Sequence, residues 1–420
     1  MSGRLVIIVL LGLCMGGTFA QAGEIRGVPL PDDVSVVTVP DAVPRPASSF
    51  LGAWIGTWSG LIPHVLIVER VDPDGQGAQV VYALAAAPEF RIERQWRRGR
   101  ATISGHTLTL EGSAPATYIL DGDTLEATYR RDTVRDYARM RRVALSDLTD
   151  AAQGLDWSEP QTTFVEGPVE NGAPTRLEVA VFRPPGPGPF PLLVFNHGST
   201  GLGRDPASFT RTYVAFPLAD DLVRRGWMVA FPQRRGRGRS GGLYDEGFDP
   251  DRSKGYTCDA PIALAGAERA LADVEAAAAA LRRRDDVAPG PILIGGQSRG
   301  GALAIAFAGR HPDLVRGVLN FVGGWLGEAC ASAAEVNATL LRSGAAFPGP
   351  TLWLYGRHDA YFSIAHSRRS FDAFRAAGGT GEFLTFDVPG RVGHAVGWYR
   401  DLWQEPVGRY LDGLGTPSPR

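Results

Sequence analysis

The sequence predicts a protein of the α/β class, in which a small antiparallel β-barrel-like domain precedes a mostly parallel sheet covered by helices on both faces. Two observations carry this prediction. From about residue 161 onward, apolar runs of strand length alternate with longer amphipathic runs, which is typical of a parallel sheet with crossover helices. Between about residues 51 and 143, short apolar runs alternate with turn residues and have no helical period, which favours an antiparallel barrel or sandwich.

The first 22 residues have the pattern of a signal peptide. Arg4 supplies a positive charge, the run from Leu5 to Gly17 is apolar, and Ala20-Gln21-Ala22 is a typical cleavage site. The apolar run is shorter than the ~20 residues of a membrane span, and an uncleaved anchor helix is the alternative interpretation. We therefore expect a periplasmic or secreted protein with no stable membrane insertion after signal cleavage.

The rest of the chain divides into four segments. A leader at 23–50 contains five prolines and no helical period. The barrel-like domain at 51–143 includes a hairpin signal at Asp121-Gly122-Asp123, and 144–160 is a linker. The α/β domain occupies 161–415, and a length of 420 residues suits two domains.

Composition excludes some classes of partner. Apolar residues make up 44% of the chain and charged residues 21%, an ordinary globular balance. The net charge of −2 provides no electrostatic basis for binding nucleic acid or an anionic membrane.

The α/β domain alternates clear strand and helix signals. Residues 259–284, 298–311 and about 365–377 have helical periodicity. Buried strands are predicted for the runs PLLVFNHG, GWMVAFPQ, PILIGG, GVLNFVGG, TLWLYG and EFLTFDV. In such sheets, chemistry is found at the carboxyl ends of the strands.

Two serines lie in G-x-S-x-G sequences, and only one has the context of a nucleophile. Ser298 follows the apolar run PILI and precedes an alanine-rich helical stretch, which is the strand-turn-helix arrangement that exposes a serine at a sharp turn. Ser240 lies in RRGRGRSGG, where no strand leads directly into it and turn residues follow. We expect Ser240 to be a loop serine and the arginines of that loop to be solvated, with steering of an anionic substrate as the alternative.

An acid and a base follow Ser298 in the order that this arrangement requires. Asp359 comes directly after the strand TLWLYG, and His394 lies in the loop after EFLTFDV. A serine hydroxyl needs a base to take its proton, and the base needs a carboxylate to orient it. Asp387 is the rival acid, but it lies within the last strand. The competing histidines are His64, His106, His311, His358 and His366.

Backbone donors for a negative oxygen are predicted at two places. One is the amide of Arg299, directly after the serine, and the other is the amide of Ser199 in the HGSTG sequence after LLVFN. The alternative is that HGSTG is only a glycine-rich turn.

The two cysteines that follow the signal peptide predict a disulfide. Cys258 and Cys330 are the only thiols left after cleavage, and an oxidising compartment favours their pairing. Two unpaired cysteines that behave as small apolar residues are the alternative. Both lie in loops expected at the carboxyl edge of the sheet, so the bridge would staple the rim of the site.

Residues 161–415 resemble the α/β-hydrolase fold, and most closely its dienelactone-hydrolase-like and prolyl-oligopeptidase-like members. The resemblance rests on Asn196-His197-Gly198, the loop Arg235–Ser240, Gly296–Gly300, Gly356–Asp359 and Gly393-His394. Dienelactone hydrolases use a cysteine nucleophile where this chain has Ser298, so their substrate is not implied here. The N-terminal region is also too short for the propeller of prolyl oligopeptidases.

The barrel-like domain resembles lipocalin-like (calycin) barrels through Gly56-Thr57-Trp58 near its first strand. Such barrels can hold a ligand. The interpretation favoured here is an accessory domain whose interior is filled by its own side chains.

These features predict a serine hydrolase that cleaves carboxylic esters through an acyl-enzyme, with Ser298, His394 and Asp359 as a triad. No metal or organic cofactor is required, and the partner is a small-molecule ester. The alternatives are a peptidase or amidase, acyl transfer to another alcohol, and a non-catalytic ligand-binding protein.

Trp325, Tyr361 and Phe362 are candidates for lining the substrate pocket or for core packing. The natural substrate, the acyl chain length, the oligomeric state and the role of the barrel are not specified by the sequence.

Overall fold

The computed structural model describes residues 24–25, 28–37, 43–58, 62–86, 92–112, 116–131, 134–145, 160–388 and 391–415. The predicted signal peptide at 1–22 and most of the predicted linker at 144–160 lie outside the described residues. A short antiparallel pair, β1 (Glu24–Ile25) and β2 (Val28–Pro29), begins the described chain.

Eight antiparallel strands close into a barrel. Each strand pairs with the next along the chain, and the last pairs with the first, where Met140 lies opposite Gly56. The strands are β3 (Gly52–Trp58), β4 (Ile62–Val71), β5 (Gly77–Leu84), β6 (Gln95–Ser104), β7 (Thr107–Leu110), β8 (Ala116–Asp121), β9 (Thr124–Arg131) and β10 (Val134–Val143). The predicted antiparallel barrel is therefore confirmed, and closure removes its edge strands.

The barrel has an apolar filling inside and a second apolar layer outside. Trp54, Leu66 and Tyr118 belong to a buried cluster drawn from strands all around the barrel. Val28 and Leu30, which precede the barrel, belong to a separate cluster with outward-facing residues of β3, β4 and β5. Residues from the proline-rich leader thus cover one face of the barrel wall.

The larger sheet has eight strands and is mixed. Its strands are β11 (Gln161–Glu170), β12 (Ala173–Phe182), β13 (Leu192–Asn196), β14 (Met228–Pro232), β15 (Ile292–Gln297), β16 (Val315–Phe321), β17 (Thr351–Gly356) and β18 (Gly381–Phe386). They lie in the order β11-β12-β14-β13-β15-β16-β17-β18. The six strands β13 to β18 are parallel to one another, whereas β12 is antiparallel to both of its neighbours, β11 and β14.

Six helices accompany this sheet in the described part of the chain. They are α1 (Phe216–Arg224), α2 (Ala260–Leu281), α3 (Arg299–Arg310), α4 (Ala333–Ser343), α5 (Ile364–Ala376) and α6 (Arg400–Gly413). The start of α2 has a clear local cause: the Asp259 carboxylate accepts a hydrogen bond from the Ile262 amide, and Pro261 lies in the first turn. None of these helices has both the length and the apolar character of a membrane span.

Parallel pairing brings the ends of several strands to one edge. Asn196 at the end of β13 pairs with Gly296 of β15, and Gly356 at the end of β17 pairs with Phe386 of β18. The loops that follow these strands therefore meet at the carboxyl edge of the sheet. These loops carry Ser199, Ser298, Asp359 and His394.

A disulfide joins two loops of the larger sheet unit. Cys258 and Cys330 are bonded, with their Cα atoms 5.3 Å apart. Cys258 precedes α2, and Cys330 precedes α4. The predicted pairing of these cysteines is confirmed.

Candidate active site

Ser298 stands at a strained turn between β15 and α3. Its φ of 57° and ψ of −123° are unusual for a residue with a side chain. The turn needs glycine on both sides: a Cβ at Gly296 would lie 2.2 Å from the backbone of Gly300, and one at Gly300 would lie 2.0 Å from the Asn196 oxygen. Because Gly296 and Gly300 have no side chains, the turn between β15 and α3 can pack directly against the backbone of β13.

A hydrogen bond between Asp359 and His394 orients the histidine ring. The Asp359 Oδ2 accepts a hydrogen bond from His394 Nδ1 at 2.8 Å, and the Asp359 side chain is fully buried. The other carboxylate oxygen accepts from the amides of Tyr361 (2.8 Å) and Phe362 (3.1 Å), which fixes its orientation. Because Nδ1 is the donor, Nε2 of His394 is left as the basic nitrogen.

Ser298 and His394 line the same cavity, which has a volume of about 530 Å³. The Ser298 hydroxyl forms no hydrogen bond with His394 or with any other residue that the structure describes. Catalytic hydrogen bonds often tighten only when substrate is bound. The two loops are joined through Gln297, whose side chain donates to the His394 carbonyl at 3.1 Å and accepts from the Tyr213 hydroxyl at 2.9 Å.

The HGSTG loop passes directly beside Ser298. A Cβ at Gly198 would lie 3.0 Å from the Ser298 Cβ and 3.6 Å from its hydroxyl oxygen. The amides of Ser199 and Arg299 donate to no described residue. The next amide, that of Thr200, donates to the Tyr256 hydroxyl at 3.1 Å. The loop is therefore held by Tyr256 while two backbone donors stay available.

The Arg299 side chain was not part of the sequence prediction, which used only its amide. Its guanidinium lies between the rings of Tyr256 and Trp325, 3.7 and 4.5 Å from their centroids, and donates to the Trp325 carbonyl at 3.1 Å. It also donates to the carbonyl of Glu246 at 2.8 Å. The Arg299 side chain thus connects the turn that carries Ser298 to the cavity-lining residues Tyr256 and Trp325.

The arginine-rich loop after β14 is buried, so the expectation that its arginines are solvated is wrong for three of them. Arg234, Arg235 and Arg237 are 1%, 6% and 5% exposed. Arg234 donates to Glu246 at 2.5 Å. Ser240 behaves as expected of a loop serine, since its hydroxyl donates to the Gln233 carbonyl at 2.7 Å and accepts from a β12 amide at 2.8 Å.

The rival acid and bases lie elsewhere. Asp387 follows β18, which ends at Phe386, so the expectation that it lies within the strand is wrong; its side chain is 83% exposed and pairs with Arg357. Among the histidines of the described chain, only His394 lines the cavity. His366 Nε2 accepts a hydrogen bond from the Asn337 side-chain amide at 2.8 Å, and His64 lies inside the barrel, where it is bonded to Tyr118 of the barrel core. The structure therefore brings together the residues chosen from the sequence and separates their competitors.

The cavity walls are rich in aromatic rings. Trp325, Tyr361 and Phe362 all line it, and the Tyr361 and His394 ring centroids are 4.7 Å apart. Cys258 and Cys330 also line the cavity, so the disulfide lies at its wall. No cluster of three or more potential metal ligands occurs among the residues that the structure describes.

Comparison with known proteins finds carboxylesterase-like and esterase relatives. No protein-family model matches the chain. A curated protein from Oryza sativa subsp. japonica, named a probable inactive carboxylesterase, is 30% identical over 128 residues, which is 30% of this chain. The match spans 48%, or about half, of that relative.

Several solved structures are also similar. Est1E from Butyrivibrio proteoclasticus, with ferulic acid bound, is 15% identical with a TM-score of 0.43, covering 60% of this chain and 98% of that chain. An esterase from Pyrococcus furiosus is 15% identical with a TM-score of 0.43, covering 63% and 93%. A protein assigned as a dienelactone hydrolase from Klebsiella pneumoniae is 20% identical with a TM-score of 0.39, covering 62% and 100%. Because every TM-score is below 0.5, these superpositions add no weight to any residue assignment.

Proposed function

We propose that the chain is a serine hydrolase of the α/β-hydrolase fold that cleaves carboxylic ester bonds through an acyl-enzyme. One observation carries the proposal: a strained serine and a carboxylate-oriented histidine line one cavity at the carboxyl edge of the sheet. In this proposal Ser298 is the nucleophile, His394 the base and Asp359 the group that orients it.

The chemistry follows from the direction of the hydrogen bonds. His394 Nε2 takes the Ser298 proton as the serine oxygen attacks the ester carbonyl, and the buried Asp359 carboxylate stabilises the resulting imidazolium. The amides of Ser199 and Arg299 hold the negative oxygen of the tetrahedral intermediate. His394 then gives the proton to the leaving alcohol. Water, deprotonated by the same nitrogen, attacks the acyl-enzyme and releases the acid and the free serine.

Domain roles and location belong to the same proposal. The unit at 161–415 carries the catalytic groups, and the barrel at 51–143 is a lipocalin-like accessory domain with a filled interior. We infer export to the periplasm or the medium, because a disulfide is typical of oxidising compartments and the first residues have a signal-peptide pattern.

The test compares the two G-x-S-x-G serines. Ser298→Ala should reduce turnover of a model ester by about 10⁴-fold or more, because the nucleophile is lost. Ser240→Ala is the matched control, and it should keep turnover because Ser240 bonds only to backbone groups of β12 and of the start of its own loop. Undiminished activity in folded Ser298→Ala would overturn the proposal.

The alternative functions separate in two further assays. Ester substrates run beside aminoacyl amides distinguish an esterase from a peptidase or amidase, and an added alcohol acceptor detects acyl transfer. A fluorophosphonate probe labels an activated serine, so absence of labelling at Ser298 would favour the non-catalytic binding protein.

A further inference from the structure

Arg237 is a buried arginine without a partner. It lies in the loop after β14, and its side chain is 5% exposed. Its Nε and Nη1 atoms are buried and donate no hydrogen bond, and the side chain forms no ion pair with any residue that the structure describes. Its guanidinium carbon lies 5.5 Å from the centroid of the Tyr244 ring.

The cluster around Arg237 contains more positive than negative charge. Arg234 and Arg299 both pair with one carboxylate, that of Glu246, at 2.5 and 3.4 Å. All four of these residues are at most 5% exposed. Three guanidinium groups therefore share one carboxylate in the described structure.

The neighbouring carboxylates are already paired one to one. Asp273 pairs with Arg235 at 2.6 Å, and Glu178 pairs with Arg239 at 2.8 Å. Neither compensates Arg237.

The neutral groups around Arg237 cannot supply the missing negative charge. Burial raises the pKa of the Tyr213 and Tyr244 hydroxyls, so both remain protonated at neutral pH. Burial, together with the charges of Arg234 and Arg237, lowers the pKa of His197, which is therefore neutral as well.

Burial does not neutralise a guanidinium group by removing its proton. Its pKa stays above the physiological range, so a buried arginine remains charged. An isolated buried charge is strongly unfavourable unless it is paired and hydrogen-bonded. A counter-charge for Arg237 would have to come from a group that is not part of the described chain.

We propose that Arg237 is the centre of a buried binding site for a small inorganic monovalent anion, with chloride as its occupant in solution. The anion accepts the Nε–H and Nη1–H hydrogen bonds and compensates part of the excess positive charge of Arg234, Arg237 and Arg299. Binding is reversible and involves no covalent step. The site is independent of whether Ser298 performs ester hydrolysis.

The first experiment measures thermal unfolding in chloride and in gluconate at equal ionic strength. Gluconate is too large for a buried site, so chloride should raise the Tm of the wild-type protein by about 2 °C or more at saturation. Arg237→Met should lose this difference. Arg235→Met is the matched control: it is equally buried in the same loop but has its own carboxylate, and it should keep the chloride effect although it is less stable.

The second experiment uses only the wild-type protein, so it decides the matter even if Arg237→Met fails to fold. A crystal grown or soaked in bromide should give an anomalous peak within hydrogen-bond distance of the Arg237 guanidinium. A water molecule in place of the peak, or equal Tm values in chloride and gluconate, would overturn the proposal. A chloride effect that persists in folded Arg237→Met would also overturn it.

Discussion

The barrel and the larger sheet bury polar groups in opposite ways. Inside the barrel, His64 donates from Nδ1 to the Ala83 carbonyl at 2.9 Å and accepts from the Tyr118 hydroxyl at 2.9 Å, so it is neutral and satisfied. At the carboxyl edge of the larger sheet, buried charged side chains are gathered: the Asp359 carboxylate accepts from the partly exposed His394, and Glu246 pairs with the buried Arg234. The barrel interior is closed on itself, whereas the sheet edge gathers charged side chains around a cavity.

The difference follows from sheet geometry. A closed antiparallel barrel pairs every strand on both sides, so its interior positions are filled by side chains from all around the wall. Parallel strands end together, and their loops can bring residues that are distant in sequence to one place. We therefore expect substitutions in the barrel to change stability, and substitutions at the sheet edge to change chemistry. Four predictions test this division.

The largest expected effect is at Asp359. Asp359→Asn keeps the size of the side chain but no longer stabilises the required tautomer and the cation of His394, so kcat on a model ester should fall by about 10⁴-fold. Asp387→Asn is the control, because that side chain is 83% exposed, and it should keep wild-type turnover. Equal kcat values for the two variants would contradict the assignment of the acid.

The disulfide should stabilise only the larger sheet unit. Replacing Cys258 and Cys330 by serine opens a covalent loop with a sequence separation of 72 and should lower the free energy of unfolding by about 4 kcal/mol. Hydrogen exchange read by mass spectrometry can follow peptides of both units. Protection should fall in the sheet peptides and stay unchanged in the barrel peptides, and an equal loss in both would show that the two units unfold together.

The buried histidine of the barrel predicts a pH dependence of stability. Burial lowers the pKa of His64 from 6.5 to about 4, while the unfolded chain keeps the ordinary value. The unfolded state therefore binds the extra proton between these values, and stability that is complete above pH 6.5 falls by about 3 kcal/mol as the pH drops to 4.

The variant His64→Gln isolates this contribution. Gln can donate to the Ala83 carbonyl and accept from Tyr118, but it does not titrate. Urea unfolding at several pH values should show a shallower loss of stability below pH 6.5, and kcat should be unchanged at pH 7. The exposed His106→Gln variant of the same barrel is the control. A slope identical to that of the wild type would refute the prediction.

The smallest effect is expected at Tyr256, which holds the HGSTG loop through its hydroxyl. Tyr256→Phe removes the acceptor of the Thr200 amide at 3.1 Å, so kcat should fall by about 10-fold with little change in KM. Tyr410→Phe removes a similar bond, to the Val318 amide at 2.8 Å, and should cost stability but not turnover. A comparable loss of kcat in both variants would mean that the effect is one of general stability.

Much of the architecture could be predicted because it follows from local patterns of apolar and turn residues. The alternation of apolar runs indicated both units, and the strand-turn-helix context separated Ser298 from Ser240. The hairpin of β11 and β12 was missed, although its turn contains Asn171-Gly172, both with positive φ, a strong two-residue hairpin signal. The Asn171-Gly172 dipeptide is the local signal for the antiparallel start of the larger sheet.

The arginine cluster could not be predicted, because burial of a charged side chain depends on distant partners. RRGRGRS has the composition of a solvated loop. Arg235 and Arg234 are buried because Asp273 and Glu246, 38 and 12 residues away in sequence, reach them across the fold. The role of Tyr256 in holding Thr200 has no local signal either, since the two lie 56 residues apart.

The sequence by itself predicted a barrel followed by an α/β unit and pointed to Ser298, Asp359 and His394 as candidates, because strand and turn patterns are local and parallel strands end at a common edge. It also predicted the disulfide, because only two cysteines follow the signal-peptide pattern. Only the tertiary structure decided which arginines are buried, what holds the HGSTG loop, and that Arg237 pairs with no carboxylate of the described residues. These properties depend on distances between side chains far apart in the chain, and the free energy of a buried charge is set by those distances rather than by its neighbours in sequence.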